Sequence, residues 1–538
     1  KTETGLSASD FETVYDETND NADPRFKGLI PPTANGSEEG FCEARDAYHN
    51  PLTDTSFYTD EFGTLYRSFG YSANGNDLLR ETDNRGNSIV GTVDASTSRI
   101  SELTDRTGYK TVYEYDADGR TTKITDKDKN GAELSHVSYL YEPFGNVYGL
   151  LRGDGMRYFL DYDVFRNLHQ IKIHGKTEPL VTYVYNPGNG RMKQTTYANG
   201  DCMKVNYDSV GRVISEKWYN ASGVEKAKYL YGYDEKGNIV RSLDFYAQKE
   251  YNYVYKDNRL ISTSECAVTL AGETVTSRTV VFTALYFYDS EGKLIRKAVT
   301  PADRPDLTVR YLHDGKNVAV SFEVPAPTEG NMDNTRTVTC RSGSDDMNRK
   351  TFDEIQLGCD SLSRQYAYTA GKVTNEHKAK DKVKSAATTR LVSKVTFSDG
   401  RTMSYEYDEE ERITRITDSA NGVTEYTYTP QGRLLCEKKC RDGGESVVNA
   451  MTYDAYGNIL SRNGKTYTYG NTAWRDLLTA YNGKAITYDA QGNPTFYLDH
   501  RLVWEKGRLL KSFDGFNYTY NANNIRTSKT VGSIKHTY

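Results

Sequence analysis

The stretch YEYDADGR, Tyr113 to Arg120, decides how this chain reads. Tyr113 and Tyr115 lie two apart, so an extended segment points both rings to one face. Asp116 opens a turn, because its carboxylate can accept backbone amides two residues on. Gly119 supplies the positive φ that closes a short hairpin loop with a bulge, and Arg120 starts the return strand. The octapeptide predicts strand, turn, strand.

The phrase recurs. It reads VNYDSVGRV from Val205, YGYDEKGNI from Tyr231, YFYDSEGKL from Tyr286, YEYDEEERI from Tyr405, MTYDAYGNI from Met451 and ITYDAQGNP from Ile486, with looser copies at Tyr139, Tyr183, Tyr253, Tyr426 and Tyr518. The repeat turns are Tyr115, Asp116 and Gly119; Tyr207, Asp208 and Gly211; Tyr233, Asp234 and Gly237; Tyr288, Asp289 and Gly292; Tyr407 and Asp408; Tyr453, Asp454 and Gly457; and Tyr488, Asp489 and Gly492. Two copies depart from the pattern: Glu411 stands where the glycine should, and Thr429 stands where the aspartate should. The second tyrosines are spaced by 26 residues from Tyr115 to Tyr141, 22 from Tyr185 to Tyr207 and 21 from Tyr407 to Tyr428. Periods of this length signal a repetitive architecture in which each unit stacks on its neighbours.

A second turn type alternates with the first, at TDNRGN from Thr82, TDRTG from Thr104, TDKDKNG from Thr125 and TDSANG from Thr417. Two reversals per repeat leave strands of roughly 6–9 residues. The fold class expected is all-β: a long antiparallel strip of hairpins. Strand twist curls such a strip, and spiralling would hydrogen-bond each winding to the next and remove exposed edges.

These Tyr-Asp pairs, in register over most of residues 60–538, resemble the bacterial RHS (YD-repeat) family and the teneurin shell. The resemblance implies a hollow shell of spiralling hairpins. It implies a bacterial secreted or cell-surface protein, whose activity lies in a C-terminal passenger, often a toxin. The downstream motif that marks self-cleavage in the family is absent from this sequence. The chain is expected to end in mid-strand and continue in the natural protein.

Four segments are expected: an irregular stretch at 1–60, a first array at 61–320, a divergent part of the shell with a loop at 321–390, and a second array at 391–538. Pro31-Pro32 and Asn35-Gly36 mark coil, Phe41 to Tyr48 could dock on the array, and the basic run His377 to Lys384 reads as a solvated loop.

Composition agrees with a thin core. The apolar fraction is 37% counting Tyr and not Gly, and exchanging one for the other changes nothing because each numbers 44. Globular domains hold roughly 45–50%. Aromatics at 12% exclude a disordered chain. Tyrosine suits a sheet with one damp face, since its ring packs while its hydroxyl finds a partner. A net charge of −6 with mixed signs gives no reason to expect nucleic acid, and no apolar run reaches the roughly 20 residues of a membrane helix.

No constellation for chemistry emerges. Aspartate at every turn reads as capping, because acid–base work needs two groups in different environments. Asp126 to Gly131 resembles a calcium loop, but Val137 stands where the bidentate glutamate belongs. The seven cysteines are odd in number and scattered, and read as free thiols. Trp218, Trp474 and Trp504 could stack sugars, yet read as packing residues. The expectation is a non-enzymatic shell segment with no cofactor or metal, whose partner is its own passenger. The alternative is an adhesion module for a glycan or a cell-surface protein.

Overall fold

The computed structural model describes residues 40–42, 47–48, 50, 53–57, 64–94, 96–303, 305–325, 335–345, 347–372, 387–440, 444 and 446–538. Pro31-Pro32, Asn35-Gly36 and the basic run 377–384 lie outside them. The described residues form strands and turns, without a helix.

Strands pair antiparallel with their sequence neighbours. Lys110–Tyr115 pairs with Thr121–Lys127, placing Tyr113 opposite Ile124, and the register shifts between Glu114 and Tyr115. That shift is the bulge expected of a loop closed by a positive-φ residue, and Gly119 sits at φ 78°. The same offset precedes the turn at Tyr207, Tyr233, Tyr288, Tyr407 and Tyr428. Six residues is the commonest strand length, as two reversals per repeat require. Val205 shows the alternation: it is buried, and its neighbours Lys204 and Asn206 are exposed.

Contacts divide the chain into two compact units. The first holds residues 1–136, 313–319 and 338–451; the second holds 137–312, 320–337 and 452–538. Each draws its segments from distant parts of the sequence. The core is thin, as the composition implies. In the second unit it comprises separate small clusters, such as Met156, Ile173 and Leu180, or Trp218, Ala227 and Tyr229.

The structure departs from the sequence reading in three places. Strands Gly40–Cys42 and Thr53–Phe57 pair with each other inside the stretch expected to be irregular. Among the described residues, distant windings within each unit meet through turn tips and side chains and not by a β-ladder, because a strip of short hairpins carries turns along its borders. Third, the turn cap of TDKDKNG is Asp128, whose carboxylate accepts the amides of Asn130 and Ala132 at 2.8 Å each. Asp126 lies in the strand and accepts from the Thr111 hydroxyl instead, at 3.1 Å.

Candidate functional site: capped turns and the seams they form

The repeated turn is a closed hydrogen-bond circuit. The Asp116 amide donates to the Arg120 carbonyl at 3.0 Å, and the Gly119 amide donates to the Asp116 carbonyl at 2.9 Å. The Asp116 carboxylate accepts the amides of Asp118 and Arg120 and the Arg120 Nε–H. Asp208, Asp289, Asp408 and Asp454 likewise accept amides two and four residues on. Asp234 and Asp489 accept the amide four on. Gly211, Gly237, Gly292, Gly457 and Gly492 all have φ between 86° and 99°. The backbone amide of Arg120, first among the causes, holds Asp116 below its ordinary carboxylate range; the Arg212 and Lys293 amides do so for Asp208 and Asp289, and the Asn238 side chain for Asp234.

The tyrosine before the aspartate has a task the sequence did not reveal. Its hydroxyl donates to a backbone carbonyl on the preceding strand: Tyr115 to Ile100 and Tyr207 to Met192 at 2.7 Å, Tyr233 to Val213 at 2.8 Å, Tyr288 to Leu260 at 2.9 Å, and Tyr407 to Val392 at 2.7 Å. Tyr488 donates to the carbonyl of Leu478, which lies outside any strand. Tyr453 ends the strand Val447–Tyr453 before the Asp454 turn. Each bond ties one hairpin to the one before it. Donor and acceptor lie 15 residues apart in several pairs, but no residue type marks the acceptor.

The residue four after the aspartate reaches forward. Arg212 Nη1 donates to the Asp234 carbonyl at 3.0 Å and its guanidinium lies 4.7 Å from the Tyr233 ring centroid. Arg412 repeats this toward Thr429 and Tyr428. At Thr429 the side-chain hydroxyl takes the place of the missing carboxylate and accepts the Arg433 amide at 3.1 Å. At Glu411 a non-glycine residue adopts φ 63°.

Two repeat turns escaped the sequence reading: one at Asp163, which accepts the Phe165 and Asn167 amides with Arg166 at φ 66° in the glycine position, and one at Asp345. Asp345 accepts the Arg349 amide at 2.9 Å and the Arg349 Nε–H at 2.8 Å, while Asn348 holds φ 57° in the glycine position. Ser344 replaces the tyrosine, which is why 343–349 read as divergent. The pair is buried, and Arg349 also donates to the Thr389 carbonyl at 2.7 Å.

Turns far apart in sequence then stack. In the first unit, Arg85 donates to the carbonyls of Asp408 and Glu409 at 2.6 and 2.8 Å, and Glu410 accepts the Arg106 amide at 2.7 Å. In the second unit, Gly507 donates its amide to buried Asp201 at 2.9 Å, Gln491 accepts the Ala198 amide at 2.8 Å, and Lys176 donates to the Ala490 carbonyl at 2.9 Å. Trp474 packs on the cluster of Met156, Ile173 and Leu180, under Lys176 at 4.6 Å. Burial pushes the Asp201 carboxyl up, with the charge of Asp489 adding to it. It also pushes the Lys506 ammonium down and the Tyr488 hydroxyl up to about 12.

The three tryptophans are packing residues: Trp218 is 5% exposed, and Trp504 Nε1 donates to the Pro494 carbonyl at 2.6 Å. Among the described residues no group of three or more His, Cys, Asp or Glu could hold a metal ion, and Cys202, Cys266, Cys340, Cys359, Cys436 and Cys440 are free thiols. Among the same residues no helix is long and apolar enough to cross a membrane.

The repeat turn centred on Asp116 falls within residues 94–130, which match the RHS repeat family model. This stretch is an RHS repeat by its family model. Three solved structures share the fold. The crystal structure of TcdB2-TccC3-Cdc42 aligns with a TM-score of 0.55 and 14% identity, over 92% of this chain and 29% of that one. TcdB2-TccC3 without its hypervariable C-terminal region gives 0.58 and 13%, over 91% and 30%. The Tc holotoxin pore of Photorhabdus luminescens, with a TccC3 substitution, gives 0.57 and 13%, over 93% and 31%. The chain thus spans less than a third of the length of the structures it matches. No curated protein matches it in sequence.

Proposed function

We propose that this chain is a wall segment of a secreted or cell-surface bacterial RHS protein, and that the wall encloses a C-terminal passenger outside the present sequence. The observation that carries the reading is the seam in each unit. Turns about 300 residues apart, such as Arg85 on Asp408 and Asp201 on Gly507, bring the early and late arrays together, as a strip wound back on itself requires. Closing a chain segment of this length costs loop entropy, and the seams recover it with charge-assisted hydrogen bonds of about 1.5–3 kcal/mol each. The matched structures contain TccC3 together with TcdB2, which supports a partner drawn from other components of a toxin assembly. Adhesion to a glycan has no comparable support.

The test uses the full-length gene product under limited proteolysis. Segments C-terminal to Tyr538 should resist protease while the wall is intact, and be cut once mild denaturant opens it. Cutting of those segments at the rate of the isolated peptide would overturn the proposal.

A further inference from the structure

Three neighbouring strands, Glu225–Tyr233, Ile239–Asp244 and Lys249–Lys256, share one face of the second unit. Tyr229 lies opposite Asp244, Tyr231 opposite Ser242, and Ser242 opposite Tyr251. Directly opposed residues project to the same side, and so do residues two apart, which adds Tyr253. The turn at Asn521–Asn523 borders this face and leaves a cleft of about 140 Å³. That is space for a side-chain head group and part of its stem.

A cation already seated on this face indicates the head group. Four carboxylates act on the tyrosine hydroxyls: Asp244, Glu216, Glu505 and Glu265. Two are answered by close ion pairs, Glu265 by Lys249 at 2.5 Å and Glu505 by Lys511 at 3.4 Å. Lys506 is a third cation nearby and faces Glu505, Asp244 and Glu216. The position of Lys506 shows what this surface accepts. Its ammonium donates to the Tyr229 hydroxyl and lies 4.7 Å from the Tyr229 ring centroid. Cations are drawn to aromatic faces most strongly where water is excluded. Tyr231, Tyr251 and Tyr253 have no cation of their own seated over their rings among the described residues.

We propose that this cleft binds a single primary ammonium or guanidinium side chain, its stem lying along Tyr231 and Tyr253 and its head directed to Asp244. Neither the repeat turns nor the seams require such a site. Its ligand would be a lysine or arginine presented by a peptide segment.

The experiment titrates the full chain with Nα-acetyl-lysine methylamide and with its uncharged norleucine counterpart, followed by proton NMR. The lysine probe should saturate, with upfield ring-current shifts on its ε-methylene, and the norleucine probe should not. Asp244→Asn keeps an oxygen for the Ala247 amide, which Asp244 accepts at 3.0 Å. It should weaken binding about tenfold, the loss of one desolvated charge contact. Tyr253→Phe, which keeps the ring, should bind as the parent does. Equal binding of both probes, absence of saturation by the lysine probe, or undiminished binding to a folded Asp244→Asn chain would overturn the proposal.

Discussion

The hydroxyl of Tyr428 donates to the carbonyl of Ile413 at 2.7 Å, in the one repeat whose turn aspartate is replaced by Thr429. The turn cap can change chemistry while the tyrosine bond to the preceding hairpin stays. That bond joins separate hairpins, whereas the carboxylate only closes its own loop. Removing the hydroxyl with Tyr428→Phe should therefore cost about 1 kcal/mol, the net worth of a hydrogen bond whose acceptor is left behind. Urea unfolding would read the change. Hydrogen exchange should show the loss of protection centred on the strands Ile413–Asp418 and Gly422–Tyr428.

Glu411 is exposed and holds φ 63°, a conformation that costs a side chain and not a glycine. Glu411→Gly should stabilise the chain by about 0.5–1 kcal/mol, the relief of strain exceeding the added freedom of the unfolded chain. A fall in the urea midpoint would contradict this account of the turn.

Two aspartates should give opposite responses to pH. The Arg401 side chain, ahead of Asn421 and the Ala420 amide, holds Asp418 well below the usual carboxylate range. Its contribution is present above the unfolded carboxylate value and lost as pH falls through the folded one. Asp418→Asn should flatten the acid limb of the stability profile. Asp201 is pushed up by burial, so the folded state holds its proton more tightly than the unfolded state does. Its charge then opposes folding as pH rises through the carboxylate range, and the advantage of Asp201→Asn should grow with pH up to the folded value and level off above it. Thermal melts from pH 3 to about 7 cover the range in which carboxylates titrate.

The seams should be separable from the hairpins. Arg85→Ala removes two bonds to the Asp408 turn in the first unit and should cost about 2–3 kcal/mol. In the second unit, Trp474→Ala should cost about 3 kcal/mol through the loss of packing on Met156 and Ile173. Far-ultraviolet circular dichroism should be unchanged in both variants. Protease should cut the affected unit faster, and hairpin exchange rates away from the seam should stay as they were.

Much of the strip was legible because its information is local. Tyr113 and Tyr115, two apart before Asp116 and Gly119, specify face, turn and bulge within eight residues. The 343–349 turn was not legible because Ser344 and Asn348 replace the two most visible letters, although Asp345 and Arg349 preserve the circuit. The tyrosine bonds and the seams were hidden for a different reason: their acceptors are backbone carbonyls, and any residue supplies one. Glu410 shows the same difficulty, since its partner is the Arg106 amide, 304 positions away. The run of glutamates there looks like a solvated turn until the other winding is placed beside it.

The same division between neighbour pairing and remote seams has a consequence for biogenesis. Each hairpin needs only partners that leave the ribosome or a secretion pore within a few dozen residues of it, so assembly can keep pace with emergence and little sticky edge waits uncovered. Gly507, whose amide awaits Asp201 from far upstream, belongs to the last step. Pulsed deuterium labelling of refolding chains should find the amides of Lys110–Tyr115 shielded early and that of Gly507 late, as though the ribbon were knitted first and buttoned afterwards.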